Sequence, residues 1–136
     1  VFSALLNPES RIGEILFNNQ DKLEFYTCKY LRVEINKHII KLHSLSGKSE
    51  EDLMKIIYRV YTKIIFIEDA EIPYEFWVKA APLVREIDMD DLPFVALNEY
   101  LNGHLWTGDK KLMNGLIERG YHKCIDTQDI IKIIEE

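Results

Sequence analysis

The sequence predicts a single α/β domain, built as a three-layer α/β/α sandwich around a central parallel sheet. Three observations predict it. Apolar residues alternate along the whole chain between helical spacing and short runs of β formers. The chain has 136 residues, 47% of them hydrophobic, which suits one domain with a sizeable core. No repeat, low-complexity tract or Gly/Ser/Pro-rich linker divides it. Such alternation favours one parallel sheet with helices on both faces and right-handed crossovers. Binding sites then lie beyond the carboxyl ends of the strands.

The first element is Val1–Leu6, which fits the end of a buried strand or the turn after it. Ser10 is placed to cap a helix running to about Asn18. Leu23–Thr27 is rich in β formers. Lys29 to Leu45 predicts one long helix, with Leu31, Ile35, Ile39 and Leu42 as its apolar stripe and Ser46–Gly47 as its stop. Ser49 and Asp52 make a capping pattern for a helix to Lys63. The apolar run Ile64–Ile67 has the length of a fully buried parallel strand. Pro73 opens a helix through Trp77, Ala80 and Val84, where Pro82 predicts a kink or a break. Asp90 or Asp91 caps the next helix, Leu92 to Leu101. His104–Thr107 is a short strand, Lys110–Arg119 a helix stopped by Gly120, and Cys124–Ile125 a last strand. Thr127 is expected to cap the final helix, with Asp129 in its first turn.

Charge and motifs narrow the chemistry. The net charge of −6 argues against broad electrostatic attraction to nucleic acid, so any such contact is local. No apolar run approaches the length of a membrane span, and Val1–Leu6 lacks the basic leader of a signal peptide. Cys28 and Cys124 form no CxxC pair and read as reduced thiols of a cytoplasmic protein. His38, His43, His104 and His122 show no zinc spacing, the serines lack a nucleophile-elbow context, and no phosphate-binding P-loop is present.

The acids carry more. Asp109 comes after the strand His104–Thr107 and a Gly turn, at the strand's carboxyl end. Taken alone it is more simply a helix N-cap. Asp88, Asp90 and Asp91 crowd the start of an apolar helix. The helix dipole accounts for one or two such acids, and a cation would relieve the repulsion among three. Glu34 lies beside the buried stripe of the long helix, with Lys37, His38 and Lys41 on the same face. Ordinary surface pairing explains those four residues equally well.

Together these segments resemble the PIN-domain family. Asp88–Leu97 is similar to a D-x-D-D-x-P-F-x-A-L signature, and Leu105–Leu112 to an x-W-T-x-D-K-x-L strand-turn-helix. Cys28–Leu42 resembles the helix that carries the family's glutamate, Val1–Leu5 the segment after its first strand, and Cys124–Ile131 its closing strand and helix. The resemblance implies a metal-dependent endoribonuclease. It assigns Glu34, Asp91 and Asp109 to catalysis and to a Mg2+ or Mn2+ site, with Asp90 the alternative ligand to Asp91. Thr107, Lys37, Lys41 and Lys110 become substrate contacts. The implied partners are RNA, single-stranded, and for a toxin of a toxin–antitoxin pair an antitoxin protein. A homodimer is a further expectation, and a catalytically weak PIN-like module that binds RNA or protein is the alternative.

Two departures stand out. The family's first aspartate falls upstream of Val1, so the first strand reads as truncated. Asn98 stands where small residues are usual, and either faces the cleft or tolerates looser packing. Tyr74, Phe76 and Trp77 are expected in the core, or alternatively at a partner-binding face. Arg119, His122, Lys123, Lys110 and Lys111 are either solvated charge or the flank of an RNA path.

Overall fold

A computed structural model describes residues 10–136. The expectations for Val1–Leu6, and for an aspartate before them, lie outside the described residues. The chain divides into two compact units, Val1–Phe66 and Ile67–Glu136.

The first unit starts with α1 (Arg11–Asn18), whose Ser10 Oγ accepts from Gly13 N at 3.2 Å. Ile15, Leu16 and Phe17 are its buried side, which packs on α4 (Glu50–Lys63). Asn19 and Gln20 close its end by donating to the carbonyls of Ile15 and Leu16. The first strand, β1, is Tyr26–Cys28, shifted toward the C-terminus from the expected span. It pairs with β2 (Ile65–Ile67), and Ile65 N donates to Phe25 O at 2.8 Å.

The long helix expected from Lys29 to Leu45 is two helices, α2 (Tyr30–Lys37) and α3 (Ile39–Ser46). They meet at His38, where φ is −111° and the amide divides between the carbonyls of Glu34 and Ile35. That three-residue bond tightens the last turn of α2 and ends its ladder. The break also corrects the stripe: Leu31, Ile35 and Leu42 are buried, Ile39 only half-buried, and Ile40 is 83% exposed. Gly47 then turns with φ +66°, a left-handed position that costs glycine nothing. Ser49 Oγ caps α4 as expected, accepting from Asp52 N at 3.1 Å. β2 is not fully buried, since Ile65 is 46% exposed while Ile64 before it is buried.

The second unit opens with a 3-10 turn (Asp69–Glu71) and α5 (Tyr74–Val84). Pro82 neither kinks nor breaks α5 at its centre, because it sits in the last turn and the helix ends soon after it. A second 3-10 turn (Met89–Asp91) leads into α6 (Leu92–Leu101). Then come β3 (Leu105–Trp106), α7 (Lys110–Glu118), β4 (Cys124–Ile125) and α8 (Thr127–Glu135). Its core lies where α5 packs on α6 and α7, around fully buried Ala80, Val84, Val95, Ala96 and Leu116.

β3 and β4 run parallel, with Leu105 opposite Cys124 and Trp106 opposite Ile125. The helix α7 is the crossover between them, as a parallel pair requires. Among the described residues the strands thus form two separate pairs, β1–β2 and β3–β4. Short strands are interspersed among the helices, as in an α/β chain.

Candidate functional site

The carboxyl end of the β3–β4 pair gathers Thr107, Gly108 and Asp109 from one strand and Asp126 and Thr127 from the other. Its geometry is set by short local bonds. Thr107 N donates to Ile125 O at 3.1 Å, continuing the ladder one residue past β3. Thr107 Oγ1 accepts from Asp109 N at 3.0 Å and so fixes the turn through Gly108. Asp109 then caps α7: its Oδ1 accepts from Lys111 N at 3.0 Å and Leu112 N at 3.2 Å.

The N-cap and functional interpretations of Asp109 are therefore compatible. One carboxylate oxygen is committed to the helix, and Oδ2 takes part in neither bond. Asp109 is exposed, and Thr107 beside it is half-buried. Trp106 Nε1 donates to Thr127 Oγ1 at 3.2 Å, which ties the two strand ends together. That bond occupies the hydroxyl expected to cap α8. The cap is Asp126 instead, in a reciprocal box with Asp129 at 2.8 and 3.0 Å. Its carboxyl is held below the usual aspartate range, mainly by the backbone N–H of Asp129.

At the start of α6 the three acids have different tasks. Asp88 Oδ1 accepts from Asp90 N at 2.9 Å and caps the 3-10 turn. Asp90 is exposed. Asp91 occupies the N-cap position of α6 but makes no side-chain capping bond there, and it is half-buried. Capping therefore accounts for Asp88 and leaves Asp91 with no such task. α6 packs on β3 across the short connection 102–104. Among the described residues of this unit, no three His, Cys, Asp or Glu side chains stand together as a metal cage.

Glu34 belongs to the first unit. It is half-buried on α2 between buried Leu31 and Ile35. Lys37 is exposed, and its Nζ reaches the Tyr30 hydroxyl at 3.3 Å. Lys41 is exposed on α3. The break at His38 places Glu34 and Lys41 on two successive helices, α2 and α3.

Other expectations resolve locally. Asn98 is buried and donates from Nδ2 to the Tyr121 hydroxyl at 2.6 Å. It belongs to the core, and Tyr121, whose role no motif signalled, is its partner. Burial, the leading cause, pushes the Tyr121 phenol up to about 12. Arg119 pairs with Glu86 at 3.3 Å and donates to Gly115 O at 2.9 Å, and Lys123 pairs with Glu99 at 3.6 Å. These two cations have partners in the fold, whereas Lys110, Lys111 and His122 are exposed. Trp77 Nε1 donates to Ile72 O at 3.1 Å, and Phe76 tilts against Tyr100 at 5.4 Å. Tyr74 is not in the core, at 82% exposed.

No curated protein and no solved structure matches the chain. A family model described as the PIN domain matches residues 1–128. PIN domains are commonly nucleases, and the acids at the end of β3 and at the start of α6 lie within the matched span. The chain belongs to the PIN-domain family.

Proposed function

We propose that this protein is a metal-dependent endoribonuclease, with Glu34, Asp91 and Asp109 as its metal-site acids and Asp90 as the alternative to Asp91. The observation that carries this is Asp109. It sits at the carboxyl end of a parallel strand, with one oxygen anchored by two backbone amides and the other in neither of those bonds. The donor chemistry fits Mg2+ or Mn2+, which favour carboxylate and hydroxyl oxygens and need only one or two protein carboxylates. Such an ion, when bound, lowers the pKa of a water and offsets charge on the phosphodiester. The protein's own part is positional. Thr107 holds the turn that presents Asp109. Anchoring Oδ1 removes rotamers that would otherwise be lost on binding. Lys110, and Lys37 and Lys41 on the first unit, are proposed to meet RNA phosphates.

The proposed frame is a single three-layer PIN-like domain. The proposed setting is the cytoplasm, where the free thiols of Cys28 and Cys124 stay reduced. The proposed substrate is single-stranded RNA, with an antitoxin protein as partner if the chain is a toxin.

The test is cleavage of single-stranded RNA by the full-length protein with Mg2+ or Mn2+. Loss of cleavage both in EDTA and in Asp109→Asn supports the assignment. Cleavage that survives Asp109→Asn sinks it. RNA retained without any cleavage points to a binding module instead.

A further inference from the structure

Gly115 stands in the interior of α7, where alanine is the better helix former, so its presence needs a cause outside the helix. The cause is Ile87. A Cβ on Gly115 would overlap Ile87 Cδ1 and stand 2.8 Å from Ile87 Cγ1. Ile87 is half-buried and lies in the connection 85–88 between α5 and the Met89–Asp91 turn. The residue before it is held by the same helix. Arg119 donates from one guanidinium nitrogen to the Gly115 carbonyl at 2.9 Å and from another to Glu86 Oε2 at 3.3 Å. Glu86 and Ile87 are thus both fastened to α7, one by charge and one by contact.

The chain after Ile87 is tightly bonded. Asp88 N donates to Val84 O at 3.0 Å, Asp90 N to Asp88 Oδ1 at 2.9 Å and Asp91 N to Asp88 O at 3.1 Å. A displacement at Ile87 therefore reaches Asp91 through a hydrogen-bonded turn. On the other side, Asp109 caps the helix that carries Gly115 and ends at Arg119.

We propose that Gly115 is a positioning residue: the space it leaves lets Ile87 seat against α7, and that seat sets Asp91 relative to Asp109. The inference rests on the reading of these two aspartates as metal-site acids. Ordinary contact begins near 3.4 Å, so a methyl at position 115 must drive Ile87 Cγ1 outward from 2.8 Å to that distance. Such a shift exceeds the roughly 0.5 Å within which a preorganised site holds its groups. Ile87 is β-branched and has few alternative χ1 settings, so the connection 85–88 takes up part of the movement. Groups that orient metal ligands from behind are typically worth about 10–100-fold in metal affinity.

The experiment is calorimetric titration of the full-length protein with Mn2+ alone, beside urea unfolding of the same variants. The native chain is expected to bind Mn2+, and Asp109→Asn to lose it. Gly115→Ala is expected to weaken Mn2+ binding by about tenfold or more in a chain that stays folded. The double variant Gly115→Ala/Ile87→Ala removes the overlapping carbons, so it regains most of that affinity while remaining less stable than the native chain. A glycine needed only for packing gives the opposite pattern: stability falls and the Mn2+ affinity of the folded chain does not move. That pattern overturns the proposal, as does a folded double variant that still binds weakly. If Gly115→Ala does not fold, Arg119→Gln decides, because it releases Glu86 without adding a clash. Mn2+ binding weakened by about threefold or more then supports the proposal, and a smaller change overturns it. A native chain that binds no Mn2+, or binding that survives Asp109→Asn, overturns the site reading and this inference with it. Binding that Asp109→Asn abolishes and Gly115→Ala leaves intact overturns this inference alone.

Discussion

Asn98 and Tyr121 are 23 residues apart in sequence and joined by a buried 2.6 Å hydrogen bond. Tyr121→Phe strands a buried amide and is expected to cost about 1–3 kcal/mol in urea unfolding. The same pair predicts an alkaline response. The folded phenol titrates at about 12, whereas an unfolded tyrosine titrates near 10. The folded state keeps a proton the unfolded state loses, so this contribution is intact below pH 10 and is lost as pH rises toward 12. Tyr121→Phe is expected to flatten that part of the stability profile. Asp109 separates in a different way. Asparagine caps helices about as well as aspartate, so Asp109→Asn leaves thermal stability nearly unchanged, whereas Asp109→Ala costs about 0.5–2 kcal/mol. Both are expected to lose cleavage, so paired melting and cleavage assays separate the cap from the proposed metal ligand.

Among the elements, α8 rests most on its first turn. Asp126 is held below the usual aspartate range by backbone N–H groups and the Asp129 side chain. A depressed carboxyl stabilises the fold above its unfolded pKa and ceases to do so as pH falls through its folded pKa. Amide exchange in α8 is therefore expected to rise at acid pH before that in α6, and Asp126→Asn is expected to blunt the response. At the other end of α7, Gly120 has φ +81°, so Gly120→Ala is expected to cost about 1–2 kcal/mol by chemical denaturation. Asn102 ends α6 at φ 53°, and Asn102→Gly is expected to be tolerated. Those helix ends are legible in the sequence because capping and glycine stops are local. Ser10, Ser49, Gly47 and Gly120 each act within a few residues of where they stand. The break at His38 is not legible, since Leu31, Ile35, Ile39 and Leu42 keep helical spacing across it and only the backbone bond reveals it. Thr127 has the pattern of a cap but not the role, because its tie to Trp106, 21 residues away, is tertiary. Asn98 is ambiguous in sequence for the same reason: its partner is distant. At the site, Asp109 and Thr107 are legible as a motif, but no pattern shows how the two oxygens of Asp109 divide between helix and solvent.

For the whole molecule, a net charge of −6 would keep the proposed RNA binding local. A bound metal would then act on the fold as well as on the substrate. A ligand that binds only the native state adds about 2.7 kcal/mol when present at about 100 times its dissociation constant. Mn2+ or Mg2+ is therefore expected to raise the melting temperature of the native chain and to lose that effect in Asp109→Asn, a result scanning calorimetry can read without any RNA. The hydrogen-bonded indoles of Trp77 and Trp106 have an optical consequence. They are the protein's two tryptophans, and both belong to the unit Ile67–Glu136. Tryptophan emission thus tracks that unit alone, while far-ultraviolet dichroism tracks helices of both. Coincident melting curves from the two signals would mean that Val1–Phe66 and Ile67–Glu136 unfold as one cooperative body, and separated curves would resolve them as two.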